Sequence, residues 1–278
     1  MQVVEAKVYT IRFGGRKQAV GELLSVAGLA GKLEAFFCNA SSRQVLIKPN
    51  IVNASPPPVT TPAWVVGEIA DFIMRLGMEI DIVVADGTGE PDMETLDLFE
   101  LHGYPEAVGG VVFMDLNHAS CRWVALPAGR RWDGLYLPEA VLDSFLISVP
   151  VLKAHTLAGV TLSMKNMIGA CPPEHYQEGG YWRKSAFHKR IQASIIDLNS
   201  ARLPDFVLLD ATTGMAESHL GGALCDPPVD MFLAGDDPVA VDAVSAGLLK
   251  IDWHSIAHIK EAAGILGCAE CVEVVEIS

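Results

Sequence analysis

The chain has 278 residues, of which 50% are hydrophobic and 19% charged, so it can bury a sizeable core, and neither intrinsic disorder nor a disulfide-stapled miniprotein is expected. Its 20 Lys and Arg face 34 Asp and Glu, a formal net charge of -14. Such a surface repels phosphate backbones, so no nucleic-acid role is expected.

No positively charged start followed by an apolar run opens the chain, and no later stretch reaches the roughly 18 uncharged residues of a spanning helix. A cytoplasmic chain without a membrane partner is expected. The cysteines Cys38, Cys121, Cys171, Cys225, Cys268 and Cys271 are too sparse for a disulfide framework.

In chain order, the β-branched and aromatic stretch Val3 to Phe13 predicts a strand, and apolar spacing predicts a helix from about Gln18 to Phe37. Val45-Leu46-Ile47 predicts a strand that stops at Lys48-Pro49-Asn50, because proline cannot donate in a ladder. Thr61 is the expected N-cap of a helix with Pro62 at its first position and Gly77 at its stop. Ile80 to Ala85 predicts a doubly buried strand ending at Asp86-Gly87-Thr88-Gly89, followed by a helix from about Met93 to His102.

The stretch Gly103 to Leu137 is rich in glycine and β-formers and resolves into no definite architecture. Phe145 to Val149 predicts a strand running into Lys153-Ala154-His155, and a helix is considered over 161–168. Phe206 to Leu209 and Met231 to Leu233 predict further strands, the second followed by a helix that Asp237 caps. A helix near Ile256 to Leu266 and a strand from Val272 to Ile277 complete the order.

Buried strands that each end in a polar cluster and lead into a helix predict an α/β fold with an open, mostly parallel or mixed sheet and helices on both faces. In such sheets ligands sit beyond the carboxyl ends of the strands, so the clusters should converge. A single α/β domain over 1–278 is expected, with a small subdomain around 104–140 and a flap around 172–190.

The densest cluster is Lys153 and His155, two apart and so on one side of an extended segment, followed by Thr161, Lys165 and Asn166. Lysines grouped with a histidine suit a carboxylate or phosphate. The expected ligand is therefore a small anionic molecule. Lys48, Lys153 and Lys165 would anchor it, His155 would move a proton, and Asn50, Asn166 and Thr61 would add polar contacts.

Asp86 and Asp210 would orient the cations or hold a divalent metal, and buried Asp242 would need a partner, for which a lysine of the cluster is the candidate. His188, in the flap, is a further candidate ligand-binding residue, open to use as a second acid–base group or a metal ligand. His175, whose spacing matches no strong ligand motif, and Cys268 with Cys271, which have the two-residue spacing of metal and redox sites but form a lone pair, are weak metal candidates.

Leu46-Ile47-Lys48-Pro49-Asn50, Thr60-Thr61-Pro62, Pro150 through His155, Thr161 through Gly169, Asp210 with Gly214-Met215, and Asp237 through Asp242 together resemble domain-of-unknown-function family 362. The resemblance runs in order over nearly the whole chain and implies a fold and a site location but no settled reaction. Many members carry a ferredoxin-like module of clustered cysteines, so it also implies an association with iron–sulfur chemistry. No such cysteine cluster occurs in this sequence. An iron–sulfur cluster within the chain is therefore not expected, and an accessory role beside an iron–sulfur protein partner is the alternative to the anion site.

Overall fold

The computed structural model describes residues 6–38, 40 and 42–278. Its strands, in chain order, are β1 (Ala6–Arg12), β2 (Gln44–Lys48), β3 (Asp81–Asp86), β4 (Val112–Asp115), β5 (Cys121–Ala125), β6 (Gly134–Pro138), β7 (Phe145–Ser148), β8 (Val151–His155), β9 (Gly159–Thr161), β10 (Phe206–Met215), β11 (Met231–Gly235) and β12 (Val272–Ile277). The main sheet has the order β12-β1-β11-β10-β7-β2-β3-β4, and β8 extends from β10 with β9 beside it.

β10, β7, β2, β3 and β4 run parallel, whereas β11 is antiparallel to both β1 and β10. The sheet is thus open and mixed with a parallel centre, as the alternation of buried strands and helices predicted. β5 and β6 form a separate two-stranded antiparallel sheet within the stretch that the sequence left undefined.

Helices cover both faces because side chains alternate along each strand. Val45 and Ile47 of β2 face a core that includes Leu23, Leu33 and Ile69. Leu46, between them, faces the opposite core with Leu137, Phe187 and Leu198. Burial on both sides is why the central strands read as unbroken apolar runs. The parallel strands bring Lys48, Asp86 and the segment after Ser148 to one edge of the sheet, and the site is built there.

Several boundaries differ from expectation. The stretch 18–37 forms two helices, Ala19–Val26 and Leu29–Phe37, because Gly28 between them takes the left-handed conformation (φ 74°). Val3 to Glu5 of the first predicted strand lie outside the described residues. Helix Thr95–Leu101 is shorter than expected, and a turn of helix, Tyr104–Ala107, follows through left-handed Gly103.

Thr161 ends strand β9, so the helix begins only at Ser163 and Thr161 does not share a helical face with Lys165. Helix Ala63–Arg75 stops before Gly77 as predicted, but Thr61 does not cap it. Its hydroxyl instead donates to Val149 O (2.7 Å) and accepts from Asn50 N (2.9 Å), tying the end of β2 to the end of β7.

Candidate functional site

Parallel pairing of β2 with β3 sets Lys48 beside Asp86. Their side chains form a buried ion pair, Lys48 Nζ to Asp86 Oδ1 at 2.6 Å. Asp86 also accepts from Ile51 N (2.7 Å) and Gly87 N (2.8 Å), which satisfies a carboxylate removed from water. Lys48 donates further to Asn166 Oδ1 and Pro49 O, both at 3.2 Å. Burial still pulls the Lys48 ammonium below its ordinary pKa, against the opposing pull of Asp86.

Asn166 is the hub of this network. It accepts from Asn50 Nδ2 (3.1 Å) and donates to Lys48 O (3.3 Å) and Ser148 Oγ (3.0 Å). Lys153 donates to Asn50 Oδ1 and to Val59 O. It has no carboxylate partner among the described residues, and burial together with the charges of Lys165 and Lys48 lowers its pKa well below the lysine value. Gly169 packs directly on the ion pair, where a Cβ would collide with Asp86 Oδ1 and meet Lys48 Nζ at 2.6 Å.

In front of this network lies a cavity of about 310 Å³ lined in part by Asn50, Asp86, His155, Thr161, Lys165, Asn166, Lys184, His188 and His219. The Lys165 ammonium has no hydrogen bond or ion pair to any described residue, and burial lowers its pKa to about 8. Thr161 Oγ1 and His219 Nδ1 are buried and have no hydrogen-bond partner among the described residues. The site therefore presents polar groups that the fold leaves unsatisfied, whereas buried polar atoms are ordinarily paired.

His155 stacks on His219 with ring centroids 4.0 Å apart. Its Nδ1 accepts from Leu157 N and Ala158 N, both at 3.1 Å. Two N–H donors on one ring nitrogen fix that nitrogen as the unprotonated one, so the neutral ring carries its proton on Nε2. Burial and then Lys165 push the His155 pKa down to about 2, and burial and the same lysine lower His219 to about 3. His188 is lowered by burial and by Lys165 as well.

The segment expected to cover the site does line the cavity, through Trp182, Arg183, Lys184 and His188. Lys184 Nζ donates to Gly87 O and to Gly169 O (2.9 Å), bridging two loops of the cavity wall, and burial lowers its pKa to about 8. Arg183 holds both carboxylate oxygens of Glu94 at 2.8 and 3.0 Å.

Lys48, Asn50, Asp86, Lys153, His155, Lys165, Asn166 and His188 thus meet in or directly behind one cavity. Thr61 supports it from outside the lining. Asp210 is buried but accepts from Thr212 N (2.8 Å) and does not line the cavity, so Asp86 is the carboxylate that meets the lysines. Asp242 finds its partners in Ser163 N, Ser163 Oγ and Met164 N, at 2.8, 2.6 and 3.0 Å, in place of the expected lysine. Asp237 caps its helix through Val239 N and Ala240 N, as predicted.

Sequence reasoning did not single out Lys184 or His219. Lys184 is adjacent to Trp182-Arg183 in a segment read as a cover, yet its side chain is buried, on a left-handed backbone (φ 64°). His219 lies in a loop whose sequence carries no local signal.

The weak metal candidates lie elsewhere. His175 stacks on Tyr136 with centroids 4.3 Å apart. Cys271 N donates to Cys268 Sγ at 3.3 Å, and Cys268 N donates to Asp237. An iron–sulfur cluster needs four ligands, usually thiolates, and the described residues bring no third cysteine to this pair. The residues therefore do not fit such a cluster. Glu94, Asp115 and His118 are the one described trio close enough to share an ion, but Glu94 is held by Arg183, and Asp115 accepts from Thr95 N and Asn117 N.

These features define an α/β protein with a polar, lysine-rich cavity at the carboxyl edge of a mixed sheet. Residues 45–247 match the family described as "Domain of unknown function (DUF362)", and the chain belongs to it. Its sequence is 24% identical over 225 residues to "Thylakoid-associated protein sll1697" of Synechocystis sp., a match that covers 77% of this chain and 65% of that protein. The fold is similar to that of the lactate racemase apoprotein from Thermoanaerobacterium thermosaccharolyticum. The TM-score is 0.51 and the identity 10%, over 85% of this chain and 55% of the other. The chain thus spans a little more than half to about two thirds of these two proteins. No helix among the described residues is long and apolar enough to cross a membrane.

Proposed function

We propose that the chain binds a small anionic metabolite, through a carboxylate or phosphate group, in the cavity around Lys165. The observation that carries the reading is the unpartnered, half-buried Lys165 side chain in a region with three buried lysines, Lys48, Lys153 and Lys184, among which Asp86 is the one ion-paired carboxylate among the described residues. A local excess of buried positive charge in a chain of net charge -14 is costly unless a guest compensates it. An anion does so directly, and low-dielectric walls strengthen the attraction.

Acid–base work falls to Lys165. With a pKa of about 8 it exchanges a proton near neutral pH, the range in which such a group is most effective. His155 has a different part from the proton transfer first expected of it. Because its Nδ1 already takes two backbone N–H groups, it offers Nε2–H as a fixed hydrogen-bond donor.

The test is a thermal-shift series with propionate and inorganic phosphate against the protein and Lys165→Met. A folded-state ligand raises the melting temperature by mass action. Loss of a charge-assisted contact of about 1.5–3 kcal/mol weakens binding roughly 10- to 150-fold. Equal shifts in both proteins, or none in either, would remove Lys165 from any anion site.

A further inference from the structure

We propose that the Lys165 amine condenses with the carbonyl carbon of a small 2-oxo acid, so that the cavity holds its ligand as an imine. This rests on the anion-site reading and adds a covalent step to it.

Elimination among the lysines points to Lys165. Lys48 is paired with Asp86, and Lys184 is bound to the carbonyls of Gly87 and Gly169. Lys153 is bound to Asn50 and Val59 O and does not line the cavity. Lys165 alone among them lines the cavity with no partner among the described residues.

Other groups in the same cavity lining suit the reaction. Thr161, 3% exposed and also in the lining, has a hydroxyl without a partner that can accept one proton and give up another. His155 offers Nε2–H, a neutral donor able to polarise a carbonyl oxygen without consuming the nucleophile. The lowered pKa of Lys165, about 8, leaves free amine at neutral pH, the condition for a lysine nucleophile.

The balance is simple. The amine lone pair forms the C–N bond as the carbonyl π pair moves to oxygen. One N–H proton passes to that oxygen through the Thr161 hydroxyl. The second leaves with it as water when the C–O bond breaks, giving the imine, which takes a proton from solvent. The resulting cation replaces the ammonium charge opposite the carboxylate of the same ligand, and no oxidant or reductant is required.

Pyruvate with cyanoborohydride is the probe, read by intact mass and peptide mapping of the full chain, with propionate as the acid that lacks a carbonyl. The expected result is a single reduced adduct mapping to Lys165, absent from Lys165→Arg, whose far-ultraviolet circular dichroism confirms folding. Adduct spread evenly over surface lysines, or Lys165 unmodified, overturns the proposal. If Lys165 stays unmodified while propionate and pyruvate both raise the melting temperature, the covalent step falls and the anion site stands. If propionate, pyruvate and inorganic phosphate all leave it unshifted, both fall.

Discussion

Replacing Asp86 by Asn tests the buried cation network where it is most exposed to error. The substitution keeps the shape and one carbonyl oxygen, so either Ile51 N or Gly87 N retains an acceptor, but it removes the sole ion-pair partner of Lys48 among the described residues, 2.6 Å away. Breaking one side of a fully buried pair costs about 3–5 kcal/mol, because the other charge is left uncompensated. Against a total of about 5–15 kcal/mol for a domain, that is a large fraction.

The deficit also has a pH signature. Burial already sets the folded-state pKa of Lys48 below its unfolded value, and removing Asp86 takes away the main influence that raises it. Stability therefore rises as pH climbs through the folded pKa towards the unfolded one, and the deficit of the variant should be larger at pH 7 than near the lysine range. Urea denaturation at several pH values gives both numbers. Lys48→Met in the Asp86→Asn background should recover part of the loss, since the orphaned charge is then gone. A deficit below about 1 kcal/mol that does not vary with pH would refute the buried pair.

Two further outcomes follow from packing and burial. Gly169→Ala drives a methyl into Asp86 and Lys48 and should cost about 1–3 kcal/mol in denaturation, as overpacking does. Gly21→Ala, on the helix Ala19–Val26 with nothing within 4 Å of the added Cβ, should instead be neutral or stabilising, and equal effects at the two sites would contradict the close contact. Asp242 is pushed up from 3.8 to about 7 by burial, so the folded state holds its proton more tightly and this group lowers stability as pH rises from about 4 to 7. Asp242→Asn should remove that decline, so the stability of the protein relative to the variant should fall over this window in urea titrations; a flat or rising difference would count against it.

The strand ends were legible in the sequence because buried parallel strands are apolar runs, and the point where Val45-Leu46-Ile47 gives way to Lys48-Pro49-Asn50 marks the edge of the sheet. Lys153 and His155 were legible for the related reason that alternate residues of a strand share a side. What one-dimensional pattern does not carry is which polar group answers which. Asp242 is satisfied by backbone amides of a helix start far along the chain, and Thr61 ties two strands together when its local setting suggests a cap. His219 reaches the site by stacking on His155, a contact between distant segments with no local signature. Gly28 could be read as part of a long apolar helix until its left-handed backbone divided it.

The central claim is that Lys165 receives an anion in its protonated state. Calorimetric titration of the protein with propionate and with phosphate from pH 6.5 to 9.5 tests it most directly. Saturable binding of at least one anion that is strongest below about 8 and weakens as pH rises through that value is the predicted result, because only the ammonium form attracts the guest. Absence of saturable binding at the acid end, or affinity that is unchanged across the range, would contradict it.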